Sequence, residues 1–145
     1  MRYINSGINS NTIPEGITNI GTYAFRNTLI ENITIPTTLK STGLNLFAGN
    51  NNLSSVTWNA INCNGFSSPT TSPFFANHDN ITNFIFGNQV QRIPSNMCYG
   101  MGIETITIPN SVTEIGNAAF KNCNYISTAS FVLNSNNKVN ITTIP

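Results

Sequence analysis

Ile108-Pro109-Asn110-Ser111-Val112-Thr113-Glu114-Ile115-Gly116, running on to Ala119-Phe120, is spelled almost identically near the start of the chain. There it reads Ile13-Pro14-Glu15-Gly16-Ile17-Thr18-Asn19-Ile20-Gly21, running to Ala24-Phe25, and a looser copy follows at Ile35-Pro36 with Leu46-Phe47. Repetition at an interval near 22 residues means that each unit cannot bury its own apolar face and must stack on the next, which predicts an elongated solenoid with one continuous core.

Counting forward from Phe25, Phe47, Phe75, Cys98 and Phe120 divides the chain into five units. Phe47 is followed by Leu53, Val56 and Trp58; Phe75 by Ile81, Phe84 and Phe86; Phe120 by Ile126, Ala129 and Phe131, all at one spacing. After Phe25 and Cys98 the same pattern arrives one residue sooner, with Ile30, Ile33 and Ile35 and then Ile103, Ile106 and Ile108. The last two positions of each set alternate with polar residues, the period of a half-buried strand. Successive strands are expected to pair in parallel, about 4.8 Å apart. Pro36 and Pro109 end their strands because proline has no amide hydrogen to donate to a ladder. Ile17 with Ile20, and Val112 with Ile115, predict a second short extended segment, after which Gly21 and Gly116 turn the chain into a short helical turn at Ala24-Phe25 and Ala119-Phe120.

The third unit is longer. Asn59 to Pro73 holds a five-residue excess over the same interval in its neighbours, and its Pro, Ser and Thr residues predict a surface loop with Phe66 near the tip. A second enlarged loop is expected after Phe131, through Asn134 to Lys138, before Ile144-Pro145 resumes a pattern like Ile93-Pro94. The whole of 1–145 therefore reads as one domain, with clear repeats over 13–131 and a partial or capping repeat over 132–145. The stretch is expected either to be a piece of a longer array or to depend on an unusual C-terminal edge, because an uncapped solenoid end exposes apolar surface.

Charged residues make up only 8% of the chain and the net charge is +1, against roughly 25% charged residues in an average soluble domain. A row of phosphates cannot be neutralised by so few cations, so neither nucleic acid nor an anionic membrane is the expected partner. Three cysteines, Cys63, Cys98 and Cys123, lack a CxxC spacing and predict free thiols rather than disulfides or a zinc clip. The N-terminal stretch Met1 to Gly7 is not a signal peptide, and no apolar run reaches the length of a membrane span. If the protein is exported, its signal and any anchor are expected to lie outside residues 1–145.

The aligned residues Ile-Pro-x-x-Val-Thr-x-Ile-Gly-x-x-Ala-Phe-x-x-Cys-x-x-Ile resemble the BspA-like leucine-rich repeats. Val56 to Cys63 followed by Pro73-Phe74-Phe75 resembles an extended repeat of the same class. The resemblance spans residues 13–131, with Met97-Cys98 in place of Ala-Phe and Thr42 in place of an isoleucine as departures. It implies a leucine-rich repeat solenoid, mostly β with short helical turns and a parallel sheet on its concave face. It also implies a cell-surface or secreted location, and an adhesive role toward host matrix, host cells or neighbouring microbes. No cofactor is implied.

Glu31 and Glu104 hold equivalent places three units apart, about 14 Å along the stack, too far for a retaining carboxylate pair. His78 falls in the slot of Thr28, Asn50, Met101 and Cys123, where a side chain satisfies loop backbone groups. Cys98 stands at a core phenylalanine position and is expected to be dry and inert, which argues against a Cys98–His78 nucleophile. Trp58 falls at an inward strand position and is expected in the core rather than on a carbohydrate platform. No phosphate loop, metal cluster or serine-hydrolase elbow is present. The expected function is non-catalytic binding of a protein ligand. Alternation assigns the outward face to Asn32, Ser55, Asn83, Thr105 and Thr128 in one ladder and Thr34, Thr57, Ile85, Thr107 and Ser130 in the next. Phe66 in the loop is a further candidate. A spacer without a ligand of its own is the alternative, and a Cys/His-dependent enzyme a distant third.

Overall fold

A computed structural model describes residues 10–136, 138 and 141. The chain winds as a β-solenoid of about five turns with little helix. Strands β1 (Ser10–Thr12), β2 (Asn19–Ile20), β3 (Asn32–Ile35), β4 (Ser41–Thr42), β5 (Ser55–Trp58), β6 (Asn83–Phe86), β7 (Arg92–Ile93), β8 (Thr105–Ile108), β9 (Glu114–Ile115) and β10 (Thr128–Phe131) follow in order. Two short 3-10 turns, Pro69–Thr71 and Phe75–Asn77, interrupt them in the enlarged unit. Ala24-Phe25 and Ala119-Phe120 lie in turns without helix.

The three- and four-residue strands stack in parallel with β1-β3-β5-β6 as one ladder and β8-β10 as another. Register follows the sequence alignment, with Ile35 opposite Trp58, Trp58 opposite Phe86 and Ile108 opposite Phe131. The two-residue strands make a second edge, β2 with β4 and β7 with β9. Alternation decides what is buried. Ile33, Ile35, Val56, Trp58, Phe84, Phe86, Ile106 and Ile108 all point inward and are buried, while the residues between them are exposed or half-buried. Burying an isoleucine or phenylalanine in this way contributes about 1.5–3 kcal/mol each.

β10 departs from the rule. Ala129 and Phe131 occupy inward register positions, yet all four residues of β10 are exposed and Phe131 is 43% exposed. Among the described residues only Ile126 and Ile141 beyond Cys123 pack against the core. Half of the partial or capping repeat expected over 132–145, Ile144-Pro145 included, lies outside the described residues.

A column of aromatic rings runs along the solenoid axis. Phe25 stacks on Phe47 with centroids 5.0 Å apart, and Phe47 on Phe74 at 5.6 Å. Trp58 and Phe84 then meet Phe74 edge-on at 6.1 and 5.7 Å. The anchor of the enlarged unit is therefore Phe74, fully buried, and not Phe75, which is half-buried. This corrects the sequence register by one residue. It moves Asn77, rather than His78, into the slot of Thr28 and Asn50, where Asn77 is buried and donates to the Asn50 carbonyl. Asn50 in turn donates to Thr28 Oγ1 at 3.2 Å and to the Ile30 carbonyl at 2.9 Å. These side chains satisfy backbone groups that a curved turn leaves without ladder partners.

Every turn but that of the enlarged unit also carries two left-handed positions. Tyr23, Asn45, Asn96 and Ala118 have φ of +59°, +47°, +59° and +55°, and Asn27, Gly49, Gly100 and Asn122 repeat the conformation four residues on. Asn and Gly tolerate it; Tyr23 and Ala118 carry its strain.

Candidate functional site

Strand register assembles the outward ladders. Asn32, Ser55 and Asn83 lie opposite one another, as do Thr34, Thr57 and Ile85. Thr105 pairs with Thr128 and Thr107 with Ser130 on the second ladder. Asn32, Asn83, Ile85, Thr105, Thr107, Thr128 and Ser130 are exposed, and Thr34, Ser55 and Thr57 half-buried. Asn83 Nδ2 donates to Ser55 Oγ at 3.0 Å, so neighbouring rungs are tied by side chains as well as backbone. None of the ten is ionisable, and the face offers hydroxyls, amides and the one aliphatic side chain of Ile85.

The two ladders do not join. No hydrogen-bonded pairing links β6 to β8 among the described residues, although the chain interval from Phe86 to Ile108 is the ordinary one. The break falls where the inward Phe84 and Phe86 of β6 meet the inward Ile106 and Ile108 of β8. Above it lies a groove of about 370 Å³ walled by Asn83, Ile85, Thr105, Thr107, Pro109 and Val132. Ile85 is 49% and Val132 45% exposed. That volume lies within the range of small-ligand and side-chain sites, and its mixture of aliphatic and neutral polar groups suits an uncharged, partly apolar occupant.

The loop candidate is placed differently. Phe66 is buried at 8% exposure, not at a loop tip. Ala60, Cys63 and Phe66 all point into the core, while Ile61 and Asn64 donate backbone hydrogen bonds to Thr37 and Lys40, and Gln91 donates to Ile61. The first half of the insertion is therefore an extra course of the wall, and the apolar spacing of 60, 63 and 66 is the signal that shows it. Ser67 to Thr71, by contrast, holds no buried residue.

Cys98 is fully buried, and burial pushes its thiol well above the usual range. Burial also pushes Cys63 up to about 12 and raises Cys123. Cys123 Sγ donates to the Cys98 carbonyl at 2.9 Å. His78 is half-buried: its Nδ1 sits 2.6 Å from the Phe75 carbonyl oxygen, its Nε2 lies 3.3 Å from Asp79, and its ring stacks on Phe75. Trp58 is fully buried. Glu15 is held below the usual carboxylate range by the Thr37 hydroxyl and amide. Among the described residues no cluster of three His, Cys, Asp or Glu could hold a metal ion, and no helix is long and apolar enough to cross a membrane.

A model of the BspA type leucine-rich repeat region matches residues 2–127 in six copies, one more than the anchor residues count. The chain belongs to the BspA-type leucine-rich repeat family. Comparison with solved structures finds similarity to a leucine-rich cell surface protein of Faecalibacterium prausnitzii, at 21% identity and a TM-score of 0.38. The match covers 87% of this chain and 48% of that one, so this chain spans about half the length of its structural relative. Comparison with curated proteins finds none that matches.

Within this leucine-rich repeat array the ten outward residues were legible from alternation, because period two leaves no freedom once one rung is placed. Pro109 and Val132, the walls that complete the groove, carry no such signal. They become neighbours of Ile85 only because the ladder opens between β6 and β8.

Proposed function

We propose that this BspA-type leucine-rich repeat segment is a non-catalytic recognition module of a cell-surface or secreted protein. It binds a protein ligand of the host matrix, a host cell or a neighbouring microbe through the outward face of its main sheet. The observation that carries this reading is the groove at the β6–β8 break, where Ile85 stands exposed on a face otherwise made of Thr, Ser and Asn. Supporting it, the dry, raised thiol of Cys98 and the engaged imidazole of His78 supply no activated nucleophile.

Thr and Ser hydroxyls give weak, adaptable hydrogen bonds, whereas affinity concentrates in a few desolvated anchors. Ile85 and the groove beside it are the part of the face able to desolvate a partner side chain. The test is surface capture of fibronectin, laminin and collagen, and of intact cells of a coaggregating bacterium, by the immobilised segment. Saturable binding to at least one of them, weakened roughly tenfold or more by Ile85→Asp with an unchanged thermal melt, is the expected result. Absence of any saturable binding favours the spacer alternative. Binding indifferent to Ile85→Asp and to Thr107→Lys removes the sheet face as its seat.

A further inference from the structure

On the side of the solenoid formed by the turns, a second groove of about 450 Å³ runs across units one, two and three, bordered by Tyr23 and Arg26 of unit one, Asn45 and Ala48 of unit two, and Thr70 and Phe75 of the enlarged unit. Its composition contrasts with the sheet face. Tyr and Arg are the residues in which binding energy concentrates at protein interfaces, and here they stand beside a half-buried phenylalanine.

Three observations converge on this groove. Tyr23 is 42% exposed and adopts φ +59° at a repeat position that the second and fourth units fill with Asn45 and Asn96. A bulky residue in the left-handed region is a conformational outlier, held in place by the hydrogen bond that its amide donates to the Leu44 carbonyl at 3.1 Å. Arg26 places its guanidinium 5.3 Å from the centre of the Tyr23 ring. No carboxylate among the described residues pairs with it, since the ion pairs there are His78–Asp79 and Arg92–Glu114. The opposite wall is preorganised. Thr71 Oγ1 donates to the Ser68 carbonyl at 2.8 Å and accepts from the Ser68 amide at 3.1 Å, and the Phe75 ring is fixed by its stack on His78.

We infer that this groove is a docking site for an acidic segment of a protein partner, a carboxylate taken by Arg26 with a neighbouring apolar or aromatic side chain against Tyr23 and Phe75. A guanidinium fork matches a carboxylate in geometry and charge, and the Tyr23 ring beneath the exposed cation helps to orient it. A sulfated polysaccharide needs several cations in a row, and Arg26 is the single cation lining the groove. The site is separate from the outward sheet face, so it stands or falls independently of that reading.

The test titrates the isotope-labelled segment with N-acetyl-Asp-Phe-amide, and separately with its uncharged isostere N-acetyl-Asn-Phe-amide, following amide chemical shifts. Shifts confined to Tyr23, Arg26, Ala48, Thr70 and Phe75 are expected with the acidic probe, at an affinity roughly tenfold above that of the isostere. Arg26→Gln is expected to remove that difference. Tyr23→Asn supplies the sharper arm: it installs the residue that the repeat uses elsewhere, so the protein melts at a higher temperature and yet binds the acidic probe at least several-fold more weakly. A merely structural tyrosine gives no such opposition of stability and binding. Ile85→Asp leaves the titration unchanged. Equal affinity for both probes, shifts elsewhere on the protein, or a Tyr23→Asn variant that binds as well as the parent overturns the proposal, as does a heparin oligosaccharide that binds the same residues more tightly than the peptide.

Discussion

Replacing Phe74 by alanine tests the corrected register of the enlarged unit more directly than any other single change. Phe74 is fully buried, stacks on Phe47 at 5.6 Å and meets Trp58 and Phe84 edge-on at 6.1 and 5.7 Å. Truncating a buried phenylalanine costs about 3–5 kcal/mol, and loss of three ring contacts, each of order 0.5–1.5 kcal/mol, places this site at the upper end. For a chain of this length 1 kcal/mol moves the melting temperature by about 2–4 °C, so Phe74→Ala is expected to lower it by more than 10 °C. Phe75 is half-buried, with its ring stacked only on His78, and Phe75→Ala is expected to cost roughly 1 kcal/mol or less. Urea denaturation followed by circular dichroism gives the two values. Fluorescence of Trp58, the sole tryptophan, reports on the ring that touches Phe74. Because stacked repeats unfold as coupled units and not always in one step, coincidence of the two signals is part of the measurement. Equal losses for the two variants, or a larger loss for Phe75→Ala, refute the assignment of Phe74 to the aromatic column.

Ala118 sits at φ +55° where the second and fourth units use asparagine, so Ala118→Asn is expected to stabilise the fold by about 0.5–1 kcal/mol; a lower melting temperature contradicts this. Asn50, buried and donating to Thr28 and the Ile30 carbonyl while accepting from the Asn52 amide, is expected to cost about 2–4 kcal/mol on replacement by alanine, since backbone groups lose their partners; urea midpoints measure it. The Cys63 thiol has a folded pKa of about 12 against 9.0 for the free side chain. Its contribution is therefore whole below pH 9 and lost as pH rises from 9 toward 12, where the unfolded chain ionises first. Between pH 9 and pH 11 the difference in stability loss between the parent and Cys63→Ala is expected to reach roughly 2–3 kcal/mol. Parallel pH profiles for the two proteins are the contrary outcome.

Much of this architecture needed no coordinates. Ile-Pro, Ile-Gly and Ala-Phe at a constant interval fixed the stacking, and alternation within Asn32–Ile35 or Thr105–Ile108 sorted inward from outward residues, because local periodicity and burial obey the same geometry in every turn. Those rules place Trp58 and Cys98 in the core, as observed. They are silent wherever the period is broken. Phe74-Phe75 offers two rings for one slot, and only packing against Phe47 decides which enters. Phe66 looks like a loop tip in a stretch rich in Ser, Thr and Pro, and only its course along the wall buries it.

What the sequence by itself determined is the repeat, the ladder and the identity of the outward residues, all consequences of contacts between equivalent positions in adjacent turns. The tertiary structure decided where the ladder opens between β6 and β8 and which groove forms above it. It also decided that Thr70 and Phe75 of the enlarged unit share a groove with Tyr23 and Arg26. These features depend on segments distant in sequence. Periodicity records what every turn shares, and a binding site is built from what one turn has that the others lack.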